Sequence, residues 1–327
     1  MSFEIAKMLD LSLVIPLYNE ADSLEELHRR IVEHVGELSY EIIFIDDGST
    51  DSSAEVIANL HRKNPRVKLI RFLKNNGKAA GLAVGFQAAT GRYVITMDAD
   101  LQDDPAEIPR LIAKLEAGYD LVSGWKKVRR DPFTKRLASK VYNFFTARMS
   151  GIRIHDFNCG LKAYRLQVVK SMHIYGELHR YLPVIAFQNG FRVTELPVQH
   201  HPRKYGKSKY GVARFARGAF DLLTITFLTR YRKRPLHLFG GIGLLLFTVG
   251  TTLTLILAYE RLFMGVYLTN RPILFLGVLL IIVGIQFVSI GLLGEMITSL
   301  RHDTSSYLVQ STLGFDSGQI PSVTAPK

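Results

Sequence analysis

Cysteine is almost absent. Cys159 stands alone in 327 residues, which excludes an intrachain disulfide and any multi-cysteine metal site and suits a domain facing the cytosol. Tryptophan is as scarce, with Trp125 the single example. No Gly-x-Gly-x-x-Gly loop and no Walker A lysine loop is present, which argues against nicotinamide-nucleotide chemistry and P-loop hydrolysis. The first ten residues carry Glu4 and Asp10 and lack a long apolar core, so no secretory leader is expected and the soluble part should stay on the side where it is made. Acidic charge is the minority: 29 Asp and Glu against 41 Lys and Arg give a net charge of +12. The basic residues crowd between Lys126 and Arg234, so nucleic acid, an anionic membrane surface and a phosphorylated substrate all come into view as partners.

Charge vanishes in two stretches. From Pro235 to Tyr259 and from Pro272 to Gly294 there is no Asp, Glu, Lys or Arg, and about 20 apolar residues suffice to span a bilayer as a helix. Two membrane helices are therefore expected in residues 235–298. Arg230, Arg232, Lys233 and Arg234 precede the first, whereas the short connection holds only Arg261 and Arg271 with Glu260. The positive-inside rule then puts both chain ends and the soluble domain in the cytoplasm of a cell (inner) membrane. Between residues 210 and 234, Arg214, Arg217 and Arg230 alternate with Phe215, Phe220, Leu222, Leu223 and Phe227, the pattern of amphipathic helices lying in the interface. Residues 299–327 are rich in Ser, Thr and Gly and read as a mobile tail.

In residues 1–209 the pattern is strand, loop, helix, repeated. Apolar runs at Leu11–Leu17, Tyr40–Ile45, Val67–Phe72 and Val94–Met97 each lead into a polar loop and, in turn, a helix. Asp22 or Ser23 is read as the cap of the first helix, which runs to about Val35, and Ala79–Ala89 is a small-residue helix. Asp120–Trp125 and Phe191–Val198 read as further strands and Tyr181–Val184 as the start of a helix. Such βα alternation predicts a mostly parallel sheet with helices on its faces. The loops at Tyr18–Glu20, Asp46–Ser49 and Asp98–Asp103 then share one sheet edge, where ligands bind in α/β proteins.

The loop after the fourth strand carries the strongest chemistry. Asp98 and Asp100 flank one residue at the carboxyl end of a buried strand, a costly arrangement unless a divalent cation sits between them; the alternative is a loop of solvated acids capping the next helix. Asp46 and Asp47 also read as a turn with a helix cap. Lys126 to Arg130 is a basic run, either a solvated patch or a phosphate holder. Asp156 lies in a polar turn, and Cys159 beside Gly160 reads as a small buried residue. His200 and His201 lack a third ligand at zinc spacing. The basic and aromatic residues from Arg203 to Tyr210 could suit single-stranded nucleic acid, but their position just ahead of a bilayer favours clamping a diphosphate or a lipid phosphate, and no nucleic-acid partner is expected.

In this order, Val14–Glu20, Asp46–Asp51, Asn76–Lys78, Asp98–Gln102, His155–Leu161 and Arg203–Tyr210 resemble the successive motifs of inverting family 2 glycosyltransferases of the GT-A fold. The likeness is to the dolichol-phosphate mannose synthase type and its bacterial relatives that load a sugar onto undecaprenyl phosphate. It implies that Pro16, Tyr18 and Glu20 hold the nucleotide base and ribose with Asp47, and that Lys78, Arg203 and Lys209 also bind the donor. Asp98 and Asp100 would hold Mg2+ or Mn2+ against the diphosphate, with Gln102 as a further metal-site residue. Asp156 would be the catalytic carboxylate, and Asp103 would reach the sugar hydroxyls or the acceptor; for Asp104 a helix-capping role stands beside that one. The implied reaction is transfer of a hexosyl group, first expectation glucose from UDP-glucose, to polyprenyl phosphate. GDP-mannose, a UDP-N-acetylhexosamine or a UDP-aminoarabinose are alternative donors. A processive polysaccharide synthase is a second alternative, but Trp125 is not in the Gln-x-x-Arg-Trp motif such an enzyme would carry. Two spans offer little pathway for lipid transport per protomer, so that reading would need a homo-oligomer.

Overall fold

In the computed structural model, the described residues are 9–127, 143, 146–148, 150–152, 154–172, 174, 178–202, 235–265, 267, 272–300 and 309–314. Arg203, Lys209, the amphipathic stretch 210–234 and most of the basic run after Lys127 lie outside them. The chain divides into two compact units, Met1–Leu222 with Ser305–Lys327, and Leu223–Thr304.

The first unit is an α/β fold. Its strands are β1 (Leu11–Leu17), β2 (Tyr40–Asp46), β3 (Val67–Phe72), β4 (Tyr93–Thr96), β5 (Leu121–Trp125), β6 (Lys162–Arg165), β7 (Val193–Pro197) and β8 (Val309–Leu313). They form one sheet in the order β7-β5-β6-β4-β1-β2-β3-β8. β1 pairs in parallel with β2 and β4, and β3 in parallel with β2. β6 lies antiparallel between β4 and β5, and β7 is parallel to β5. All strands but β6 and β8 therefore point the same way, the mostly parallel GT-A-type sheet expected. β1 and β2 are buried along almost their whole length, which is why they read as unbroken apolar runs rather than alternating ones.

Helices cover both faces. α1 (Ala21–His34) buries Leu24, Leu27 and Ile31, one stripe at helical spacing. α2 (Ser53–Lys63) and α4 (Ile108–Glu116) do the same with Ile57 and Leu60, and with Ile108, Leu111, Ile112 and Leu115. α3 (Lys78–Ala88) has no such stripe, because it is buried on nearly every side. Its glycines allow this: a Cβ on Gly85 would collide with Val14 Cγ1, so the helix backbone rests directly on β1. α5 (Leu166–Lys170) and α6 (Leu182–Gln188) complete the unit.

Three local expectations change. The cap of α1 is Glu20, without a side-chain cap bond, rather than Asp22 or Ser23; the Ser23 hydroxyl instead donates back to the Glu20 carbonyl at 2.8 Å. β6 is a strand that the pattern does not announce, since Lys-Ala-Tyr-Arg has too few apolar residues to signal burial. Within the tail read as mobile, Val309–Leu313 forms β8, antiparallel to β3 at the sheet edge.

The second unit contains α7 (Pro235–Phe263) and α8 (Pro272–Leu300). Pro235–Phe263 and Pro272–Gly294 are long and apolar enough to cross a membrane. The two helices approach through glycines. A Cβ on Gly250 would lie 2.7 Å from the Gly277 carbonyl oxygen, and one on Gly284 equally close to that of Gly243. Such small-residue seams let helix backbones meet where apolar burial cannot drive association.

Candidate active site

Parallel topology brings the carboxyl ends of β1, β2, β4 and β5 to one edge, and the reversed direction of β6 brings the turn before it, Asp156–Leu161, to the same place. The first two loops are bonded together. Asn19, with φ at +54°, accepts from the Thr50 amide through its side chain and donates its own amide to Ser49 Oγ at 2.9 Å. Glu20 and Ala21 donate their amides to Ser53 Oγ and Asp51. Pro16 and Tyr18 lie at the end of β1, both half-buried.

The acidic pair after β2 splits between two tasks, because neighbours at a strand end face opposite ways. Asp46 is fully buried, accepts the Ser49 amide and pairs with Arg71 Nε at 3.2 Å. Asp47 accepts the amides of Asn76 and Gly77 at 2.7 and 2.9 Å, which fastens the loop opening α3. Burial pushes the Asp47 carboxyl up, with the two amides pulling against it.

Lys78, first residue of α3, pairs with Asp98. Burial opposes ionisation of Asp98, but Lys78, Lys126 and Lys162 outweigh it and bring its pKa down to about 2. The Asp98 amide reaches Asp103 Oδ2 at 3.3 Å. Leu101 takes the left-handed conformation, φ +61°, strained for a branched residue. This bend folds Gln102 back so that its amide donates to Asp100 Oδ1 at 3.1 Å. Asp103 is buried and faces Lys126 Nζ at 3.5 Å. Asp104 takes the capping role, accepting the Ala106 amide at the start of the short 3-10 helix Pro105–Glu107, and also pairs with His201 at 2.8 Å.

The turn bearing Asp156 docks on this loop with no spare room. A Cβ on Gly160 would lie 2.6 Å from the Asp98 carboxylate, and one on Gly124 would lie 2.8 Å from Cys159 Sγ. Thr96 Oγ1 donates to the Gly160 carbonyl at 2.9 Å. Asp156 is buried, and its Oδ1 accepts the Asn158 amide at 3.0 Å. Glu195 of β7 holds the preceding residue, accepting both the amide and Nδ1 of His155, whose ring stacks on Trp125 at 4.3 Å between centroids. Cys159 is buried as expected, and burial pushes its thiol up to about 12.

Two lysines complete the site. Lys126 is the one described member of the basic run placed inside; burial lowers its pKa, but Asp103 and the neighbouring acids more than reverse this. Lys162 is buried at the start of β6, donates to the Cys159 carbonyl and has its pKa lowered by burial. No sequence signal marks Lys162, since a lysine in a strand ordinarily points to solvent.

His200 and His201 are drawn to the acidic loop. They face Asp103 and Asp104, and Gln102 and His201 exchange backbone and side-chain bonds that join the Asp98–Asp104 loop to the segment after β7. Beside this junction lies an open groove of about 420 Å3 lined in part by Arg110, Lys127, Val198 and His201. Among the described residues no three His, Cys, Asp or Glu side chains form a metal cage. Asp98 and Asp100 supply hard oxygen donors of the kind Mg2+ and Mn2+ prefer, and such ions complete their shells with phosphate oxygens and water. The donor set therefore fits a divalent cation that arrives with a diphosphate.

Residues 12–172 match the model of glycosyl transferase family 2. The chain is 37% identical over 92% of its length to the dodecaprenyl-phosphate galacturonate synthase of Rhizobium johnstonii, covering 92% of that protein. It is also 37% identical, over 92% of its length and 94% of the relative, to the undecaprenyl-phosphate 4-deoxy-4-formamido-L-arabinose transferase of Edwardsiella ictaluri. Among solved structures, glucosyl-3-phosphoglycerate synthase of Mycobacterium tuberculosis aligns over 67% of this chain and 79% of its own, with a TM-score of 0.52 and 16% identity. A mannosyltransferase from Pyrobaculum calidifontis, solved with GDP-mannose and Mn2+, aligns over 68% of this chain and 64% of its own, with a TM-score of 0.50 and 20% identity.

Proposed function

The chain belongs to glycosyl transferase family 2 as one of its polyprenyl-phosphate glycosyltransferases, and on that premise we propose that it moves a glycosyl group from a nucleotide sugar to a polyprenyl phosphate at the cytoplasmic face of a membrane. The observation that carries the proposal is the close packing of the Asp98–Gln102 loop against the Asp156 turn through Gly160. It supports the reading because the loop proposed to meet the diphosphate then lies against the turn that carries the buried Asp156.

In the proposed reaction a phosphate oxygen of the acceptor attacks the anomeric carbon from the face opposite the diphosphate. The new C–O bond forms as the bond to the nucleoside diphosphate breaks, with inversion. The acceptor phosphate, with a second pKa near 6, is largely ionised at neutral pH and needs little help from a base. Asp156 therefore serves to orient the reacting groups, and Asp103, fixed by Lys126, borders the sugar. Asp98 and Asp100, with Gln102 beside them, would hold a divalent cation, which would supply Lewis-acid neutralisation of the leaving diphosphate. Pro16, Tyr18, Glu20 and Asp47 frame the nucleoside, and Lys78, Arg203 and Lys209 are proposed to bind its phosphates. α7 and α8 keep the site beside an acceptor that does not leave the bilayer, with both ends of the chain on the cytoplasmic side.

Neither curated relative carries glucose in its name, so the donor is proposed as a nucleotide sugar and the first expectation of UDP-glucose becomes one arm of a test. Purified protein in detergent is given undecaprenyl phosphate, Mn2+ and, in turn, radiolabelled UDP-glucose, UDP-galacturonate, UDP-4-deoxy-4-formamido-L-arabinose, UDP-N-acetylglucosamine and GDP-mannose. Label entering the organic phase from one donor, and lost with EDTA, is the expected result. No transfer from any donor by protein that binds the nucleotide would sink the proposal.

A further inference from the structure

Lys78 occupies Asp98 Oδ1, so a divalent cation at that oxygen would meet the lysine's ammonium. Its carboxylate is fixed in place, resting on the Cα of Gly160 with no room for even a methyl group, while its amide is tied to Asp103. The Lys78 backbone is fixed too, because Asp47 clamps the Asn76 and Gly77 amides just before it. The Lys78 side chain is the movable part: a flexible stem, one-third exposed, at the mouth of the site. The other cations near Asp98 are not free to leave. Lys126 is half-buried and paired with Asp103, and Lys162 is buried with its ammonium on the Cys159 carbonyl. His179, another described titratable group near Lys78, is kept neutral, its pKa lowered to about 3 by burial, by Lys78 and by Arg180.

We infer that Lys78 is an exchangeable counter-ion: it occupies the Asp98 carboxylate while the donor is away, yields that position to the divalent cation that comes with the nucleotide, and turns its ammonium onto the diphosphate. The inference rests on the proposed role of Asp98 as a metal ligand. Before the donor arrives, the lysine neutralises a carboxylate that is itself only one-third exposed. In the loaded site, cation and ammonium repel each other across Asp98, and the diphosphate offers the lysine a stronger partner. Release of nucleotide and cation returns Lys78 to Asp98.

The exchange predicts effects of opposite sign from one substitution. Full-length protein in detergent is titrated with Mn2+ alone, followed by the paramagnetic resonance signal of the free ion, and then, at saturating Mn2+, with UDP and GDP in turn by calorimetry. Lys78→Met should bind Mn2+ about tenfold more tightly than the unsubstituted protein and the nucleotide about tenfold more weakly, each change being the size of a single charge-assisted hydrogen bond. Lys78→Arg should behave like the unsubstituted protein on both counts, and Asp98→Asn should lose Mn2+ binding. Unchanged or weaker Mn2+ binding by Lys78→Met, with Asp98→Asn still deficient, would overturn the exchange and leave Asp98 as a ligand. Unchanged Mn2+ binding by Asp98→Asn would overturn both, and nucleotide affinity unaffected in Lys78→Met would overturn the second half of the exchange.

Discussion

In the α/β unit, Ile15, Ile42 and Leu111 are wholly buried, whereas in the helix pair Leu244 and Leu255 are each 64% exposed and Phe275 is 77% exposed. Burying a leucine or phenylalanine is worth about 2 kcal/mol, so water would not leave so many uncovered on two adjacent helices. Lipid is the solvent that makes this surface stable. The contrast extends to backbone packing. In the first unit α1, α2 and α4 meet the sheet through aliphatic side chains and only α3 through glycines, whereas α7 and α8 meet through Gly243, Gly250, Gly277 and Gly284. Charge is divided the same way: Asp98, Asp103 and Asp156 gather with Lys78, Lys126 and Lys162 at one sheet edge, and neither membrane-length segment has an ionisable group near its middle. One unit concentrates charge at a sheet edge, and the other presents an apolar surface of membrane-spanning length.

The contrast can be broken most severely at Gly160. Gly160→Val must displace either the Asp98 carboxylate or the Asp156 turn. Turnover should fall by about a hundredfold, the penalty of a misplacement near 1 Å, while extraction with the membrane fraction stays unchanged. Steady-state rates beside a fractionation gel check this. In the other unit, Gly250→Leu places a side chain where the Gly277 carbonyl sits. It should cost the helix pair about 2 kcal/mol, lowering the melting temperature in detergent and the rate on undecaprenyl phosphate but leaving nucleotide affinity intact. A parallel loss of nucleotide affinity would mean that the two units do not divide their work in this way.

A smaller effect sits at the opposite end of the sheet. Glu41 is buried and binds Ser12, Thr90 and Lys68, which together hold its carboxyl below its ordinary value of 4.5 against the opposing effect of burial. Because the folded value is depressed, the stability it contributes is complete above that ordinary value and is lost as pH falls through the folded one. Glu41→Gln should cost about 1 kcal/mol at neutral pH and less in acid, so its unfolding curves should converge on those of the unsubstituted protein as pH drops. The smallest expected effect is at Cys159. Its buried thiol, with a pKa pushed up to about 12, should resist iodoacetamide at neutral pH until the protein is unfolded, as mass spectrometry would show.

Much of this architecture is legible in the chain itself, for physical reasons. The central strands are buried on both faces, so Leu11–Leu17 and Tyr40–Asp46 stand out as apolar runs, and parallel connection alone forces their loops to one edge. Asp98, Asp100 and Asp103 can therefore be grouped from the order of the elements. β6 escapes because Lys162 and Arg165 disguise a strand that is buried only by virtue of its place between β4 and β5. Lys162 escapes for the same reason: its burial is stabilised by acids and a carbonyl that are near in space and dispersed in sequence. β8 escapes because a short polar segment acquires its strand character from the free edge of β3. The division of labour between Asp46 and Asp47 depends on Arg71 and on the Asn76–Gly77 amides, partners that spacing does not reveal.

The most direct test of the central claim is transfer of radiolabelled sugar to undecaprenyl phosphate in nanodiscs, comparing the unsubstituted chain with Asp100→Asn. The account predicts label in the lipid product from the unsubstituted chain, none from Asp100→Asn, and equal insertion of both proteins into the bilayer. Equal transfer by the two would contradict it, because the edge of β4 would then have no part in holding the departing diphosphate.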